Sequence, residues 1–134
     1  TQEEIKEVVK FAEDNYVNVI PEIEMPGHAS AAVAAYPNLA CFPDRNYKVV
    51  ESWGVFEDVF CAGKDETFTF LEDVLKEVMA LFPSKNIHIG GDECPKVNWE
   101  KCPKCKSVMT QNQLTTSHEL QSFFYRRSGA SGVQ

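Results

Sequence analysis

Asp92 and Glu93 stand side by side after a short apolar run and two glycines, in the segment Asn86-Ile-His-Ile-Gly-Gly-Asp-Glu93. The run reads as a buried strand that delivers an acid pair to the mouth of a pocket. Burying a carboxylate is costly, and two neighbours do not easily both stay ionised in a dry site. An acid pair at a strand end therefore needs strong local compensation or has a chemical use; the plainer reading is a solvated turn. A second segment favours the chemical reading. Strand alternation over residues 17–25 puts Asn18, Ile20, Glu22 and Glu24 on one face, with Val17, Val19, Ile23 and Met25 opposite. Pro26-Gly27 then turns the chain to His28. In a parallel α/β sheet the C-terminal strand ends open onto one rim, so Glu22, Glu24, His28, Asp92 and Glu93 are expected together there.

The cysteines offer a different chemistry. Cys102-Pro-Lys-Cys105 is a CxxC with Cys94 just upstream, and Cys41 and Cys61 lie further away in sequence. A zinc module through Cys94, Cys102 and Cys105 would need a fourth ligand, with His88 and His118 the nearby candidates. A disulfide among these three, or free thiols, are the competing readings. The odd count leaves at least one thiol unpaired within a monomer.

Positioning these groups falls to an alternation of helices and strands. Thr1-Gln2-Glu3-Glu4 is a capping-box pattern, followed by Ile5, Val8, Val9 and Ala12 at helical spacing to about Asp14. Residues 17–25 form the first strand, and 29–36 are alanine-rich and helical. The span 37–63 is irregular and long enough to suggest a functional loop. A strong helix is expected over 65–82, with Leu71, Val74, Leu75, Val78 and Phe82 as its buried stripe and Glu72–Lys76 as an i,i+4 pair. Residues 87–91 make the second strand. A polar stretch leads to a last helix over about 116–127, and 128–134 reads as an unstructured tail. The order helix, strand, helix, strand, helix argues α/β with a parallel sheet. Two strands alone cannot complete such a sheet, so the chain, which opens on Thr1, reads as a piece of something longer.

Composition narrows the classes. The chain has 134 residues, is 43% hydrophobic and 25% charged, and carries a net charge of −7, which fits a globular domain and disfavours nucleic acid as a partner. No apolar run is long enough to span a membrane, and no charged-then-apolar leader opens the chain.

Val19-Ile-Pro-Glu-Ile-Glu-Met-Pro-Gly-His28 and His88-Ile-Gly-Gly-Asp-Glu93 together closely resemble glycoside hydrolase family 20, the β-N-acetylhexosaminidases. The resemblance continues in register through Trp53-Gly54, Cys61-Ala-Gly63 and His118-Glu-Leu-Gln121, from Thr1 to about Arg127. It implies a fragment of a (β/α)8 TIM barrel, covering the third and fourth strands and their flanking helices over 1–127, with 128–134 outside the family pattern. The implied reaction is a retaining, substrate-assisted hydrolysis of terminal N-acetylhexosamine, GlcNAc or GalNAc, from glycans or chitin-type oligosaccharides. In it the substrate's own acetamido oxygen attacks C1. Glu93 matches the general acid and base. Asp92 matches the residue that orients the acetamido N–H and steadies the developing cation. His28, oriented by Glu24, matches a dyad near the acid. Substrate binding would then involve Asp92, Glu93 and His28.

Partial burial and the neighbouring Asp92 charge should raise the pKa of Glu93. No cofactor and no metal is expected. Other parts of the family's sugar-binding shell belong to strands outside this chain, so the isolated chain is expected to be inactive. A catalytically inert N-acetylhexosamine-binding fragment and the small zinc module are the alternatives. Trp53 and Trp99 do not match the family's sugar-boxing tryptophans and are expected to pack within loops. Bare strand edges predict self-association, and the family usually acts in the periplasm, outside the cell or in the lysosome.

Overall fold

The computed structural model describes residues 1–130. Helix α1, Gln2–Asp14, starts on the capping box: Thr1 Oγ1 accepts from the Glu4 N–H at 3.3 Å, and the Glu4 carboxylate returns to Thr1. Its apolar stripe is largely uncovered. Val9 is buried, whereas Val8 and Phe11 are exposed.

Residues 17–25 and 86–91 are extended and run parallel, but they meet in a single bridge, Glu22 with His88, in place of the two strands expected. The His88 N–H donates to the Pro21 carbonyl (2.9 Å), Ile23 N–H to His88 (2.8 Å), and Met25 N–H to Ile89 (3.1 Å). Two physical reasons limit the ladder. Pro21 has no N–H to give, and a barrel strand is normally held from both sides, whereas each of these has one neighbour.

Helix α2, Ser30–Ala35, and a 3-10 turn, Pro37–Leu39, lead into the long loop, which closes on itself through an antiparallel bridge between Ala40 and Phe60. The Lys64 ammonium is buried beneath it and donates to the carbonyls of Asn38 (2.7 Å) and Ala40 (2.6 Å). Helix α3 spans Asp65–Leu81 and buries Thr67, Phe68, Leu71, Leu75 and Leu81. Val74, Val78 and Phe82, expected in the buried stripe, are only half-buried, and Lys76 reaches Asp73 at 3.4 Å rather than Glu72.

Two short helices occupy the stretch that sequence alone reads as polar and irregular: α4, Val97–Lys101, and α5, Pro103–Gln111. Pro103 sits at the start of α5, where its missing N–H costs nothing, so it separates the two helices instead of abolishing them. Helix α6 runs Ser117–Ala130, three residues past the expected end. Ser128 is buried and returns its hydroxyl to the Phe124 carbonyl at 2.9 Å, which holds that last turn. The expected unstructured tail is thus corrected over 128–130, and its remainder, 131–134, lies outside the described residues.

The core lies between α3, α4 and α6. Phe124 stacks with Trp99 at 6.3 Å between centroids and meets Phe68 at 5.0 Å. Among the described residues, no helix is long and apolar enough to cross a membrane.

Candidate active site

Both extended segments end in backbone that ordinary side chains rarely adopt. His28 has φ 50° and Glu93 has φ 46°, each in the left-handed region, ahead of which Gly90 (φ 64°) and Gly91 (φ 107°) turn the second segment. Consecutive residues of a regular strand point to opposite faces. The left-handed turn at Glu93 breaks that alternation, so Asp92 and Glu93 share a side. A ring nitrogen of His28 and a carboxylate oxygen from each acid lie within 4.8 Å of one another. His28 Nε2 is 3.5 Å from Glu93 Oε2. The two turns also touch through backbone, the Gly27 position lying against the Asp92 carbonyl and Cys94.

Glu24 takes a different place from the one its resemblance implies. Its Oε1 accepts the Gly91 N–H at 3.1 Å, and no hydrogen bond or ion pair joins Glu24 to His28 among the described residues. A β-carbon at Gly90 would stand 1.6 Å from that same oxygen, so only glycine leaves room for the carboxylate. Glu24 therefore fixes the loop that carries the acids, while His28 faces Glu93 directly. Glu22 is further back on the segment, its Oε1 2.8 Å from His88 Nδ1, a nitrogen that also lies 3.1 Å from the Gly90 N.

Sequence reasoning missed a clamp on the acids from α6. Gln121 Nε2 donates to the Gly91 carbonyl (2.8 Å) and to Tyr125 Oη (2.5 Å), and the Tyr125 hydroxyl donates to the same carbonyl (3.1 Å). Burial pushes the Tyr125 phenol up, the Gln121 contact opposes this, and the Glu24 and Asp92 charges add to the rise. The phenol accordingly stays a donor. The spacing Gln121–Tyr125, one helical turn, was the available signal, but nothing local says what it grips.

A cleft of about 350 Å³ opens beside Glu93 and His28, lined also by Ala29, Trp53 and Phe56 among others. Trp53 is 99% exposed, so the expectation that it packs within its loop does not hold. Trp99 is fully buried, its Nε1 donating to the Phe60 carbonyl at 2.9 Å. The Glu93 side chain is 55% exposed and that of His28 30%, so these residues do not supply the burial expected around the acid.

The cysteines group otherwise than their sequence spacing suggests. Cys94 is buried under the acid loop, its thiol pushed up to about 11 by desolvation. It stands apart from Cys102 and Cys105, which are joined by Cys41 and Cys61 from the long loop. His88 is engaged by Glu22, and neither it nor His118 belongs to the sulfur group.

Residues 1–131 match glycosyl hydrolase family 20, catalytic domain. A β-hexosaminidase of Porphyromonas gingivalis is 55% identical over 128 residues, 96% of this chain but 16% of that protein. The crystal structure of a β-N-acetylhexosaminidase from Bacteroides fragilis superposes with a TM-score of 0.83 at 50% identity, covering 96% of this chain and 24% of its own. An exo-β-N-acetylglucosaminidase from Vibrio harveyi, solved with N-acetylglucosamine, gives 0.83 at 36% identity over 97% of this chain and 20% of its own. The chain thus spans a quarter or less of these relatives, as a part of their barrel.

Proposed function

The chain belongs to glycosyl hydrolase family 20, and we propose that it carries the acid–base pair of a retaining β-N-acetylhexosaminidase whose remaining sugar-binding shell lies beyond these residues. The observation that carries this reading is the convergence of Asp92, Glu93 and His28 at two adjoining segment ends.

In the proposed reaction the substrate's acetamido oxygen attacks C1 from within the sugar, which removes most of the entropic cost of recruiting a nucleophile. Glu93 gives a proton to the leaving oxygen, then takes one from the incoming water. Asp92 accepts from the acetamido N–H and stabilises the positive charge that spreads over the oxazolinium-like ring. His28, with Nε2 3.5 Å from Glu93 Oε2, stands beside the acid and positions its carboxylate. Glu24, through Gly91, holds the loop at the reach the proton transfer needs. The products are a terminal GlcNAc or GalNAc and a shortened glycan.

The test uses the longer protein and the 134-residue chain side by side, with an aryl N-acetylglucosaminide as substrate. Glu93→Gln in the longer protein should lower kcat by about 10²–10⁴-fold, the usual contribution of a positioned proton donor. The 134-residue chain should show little or no turnover. Robust turnover by that chain, abolished by Glu93→Gln, would overturn the account of an incomplete shell.

A second reading, favoured by the cleft that Trp53 and Glu93 share, is that the chain alone retains weak affinity for N-acetylhexosamine. Titration with GlcNAc-thiazoline, which mimics the cyclised intermediate, decides it. No spectral shift at millimolar ligand removes this reading and leaves the first intact.

A further inference from the structure

Four of the five cysteines meet in the core, as a group separate from His28, Asp92 and Glu93. Cys41 and Cys61 come from the two ends of the long loop; Cys102 and Cys105 flank the start of α5. All four are buried, and their sulfurs lie within 4.8 Å of one another. Cys61 and Cys105 are 3.6 Å apart, Cys41 and Cys105 3.8 Å, and Cys61 and Cys102 3.9 Å.

Those spacings have a specific meaning. In a tetrahedron of Zn–S bonds about 2.3 Å long, neighbouring sulfurs sit about 3.8 Å apart. Two disulfides would instead give two pairs bonded at about 2.05 Å. Here one sulfur, Cys61, is nearly equidistant from two others, and no pairing into couples is apparent.

The backbone supports the same conclusion. Cys102 precedes α5 and Cys105 lies in its first turn, where unsatisfied N–H groups favour thiolates. A β-carbon at Gly63 would stand 2.4 Å from the Cys105 nitrogen, so the two sulfur-bearing loops are in direct backbone contact. Binding a divalent ion would displace the thiol protons and leave four thiolates around it.

We propose that Cys41, Cys61, Cys102 and Cys105 form a closed four-thiolate site for a structural zinc ion that staples the 41–61 loop to α5. All-sulfur tetrahedral sites suit zinc or iron, and a fully buried set with no open position is the structural kind. The staple would also brace the active-site side. Phe60, next to Cys61, donates its N–H to the Pro26 carbonyl at 2.9 Å, in the turn that carries His28. The inference does not depend on the proposed catalytic roles.

The 134-residue chain, purified under reducing conditions without chelator, should contain about one zinc per chain. Titrating the stripped chain with cobalt should give the intense thiolate-to-cobalt charge transfer and visible bands of a four-sulfur site. Cys61→Ser should lower zinc content about tenfold or more, and Cys94→Ser should leave it unchanged. If Cys61→Ser fails to fold, the cobalt spectra of the unsubstituted chain and of Cys94→Ser decide. Iron in place of zinc, no uptake of equimolar zinc or cobalt, a cobalt spectrum lost in Cys94→Ser, or an intact mass short by two disulfides would each overturn the proposal.

Discussion

Two faces of the chain flank the acid pair, and they are finished to different degrees. On one side the long loop, α4, α5 and α6 close around Trp99, Phe124, Leu120 and the four cysteines, all of them buried. On the other, α1 and the 17–25 segment leave Val8 64% and Phe11 72% exposed, together with Val17 and Ile20. Both faces have apolar residues in the pattern their elements require. The difference is that the first finds its partners within the chain, whereas a barrel strand and its helix need neighbours on both sides. Asp92 and Glu93 are therefore held firmly from the α6 side and open on the other. A chain with this asymmetry keeps the two carboxylates in place and leaves Glu93 open to water.

The largest effect that can break this comparison is a core truncation on the packed side. Trp99→Ala removes a fully buried ring and its hydrogen bond to Phe60, and should cost about 3–5 kcal/mol, enough to abolish cooperative folding of a marginally stable domain. Phe11→Ala should change stability by less than about 0.5 kcal/mol, because the ring it removes is already in water. Denaturant melts of the two variants make the comparison. Equal losses would mean that the α1 face is buried in solution by self-association, which light scattering would reveal.

Gly90 lies on the seam between the two faces. Its left-handed backbone and the 1.6 Å approach of Glu24 to its missing β-carbon make Gly90→Ala costly, by about 1–3 kcal/mol. In a Glu24→Ala background the clash is gone and only the backbone strain remains, so the same substitution should cost less. A double-mutant cycle reads the coupling; additivity would show that Glu24 does not seat on Gly91 in solution.

How much of this was legible in the sequence follows the same asymmetry. The capping box at Thr1, the long helix and the acid pair at a segment end are local patterns, and each can be read from a window of ten or so residues. The turn of Glu93 onto the side of Asp92 is a single backbone torsion with no residue type to announce it. The sulfur group depends on Cys41 and Cys61 being carried across the loop by the Ala40–Phe60 bridge. Sequence proximity pointed to Cys94 instead, because adjacency along the chain is a poor guide where a proline-broken helix pair intervenes. The clamp from Gln121 and Tyr125 failed to show for a related reason: its target is a backbone carbonyl, which carries no side-chain signal at all.

The smallest expected effect concerns how α6, the bearer of that clamp, is started. Thr116 Oγ1 accepts the Glu119 N–H at 3.2 Å, and Glu119 Oε2 accepts the N–H groups of Thr115 (2.6 Å) and Thr116 (3.1 Å), a capping box at the helix N-terminus. The Thr115 N–H, then its hydroxyl and the Thr116 N–H, hold the Glu119 carboxyl below its ordinary value of 4.5. The sign follows from linkage: a carboxyl lowered on folding stabilises fully above its unfolded pKa, and that stability fades as pH falls through the lower folded value. Glu119→Gln keeps an acceptor but removes the charge. The stability difference between the two proteins should thus be constant above pH 4.5 and shrink below it, with α6 helicity by circular dichroism following the same course. Because the side chain is fully exposed, the difference should be small and weaken with salt. A difference that grows on acidification would place the titrating group elsewhere, and would detach the clamp on Gly91 from the cap that begins its helix.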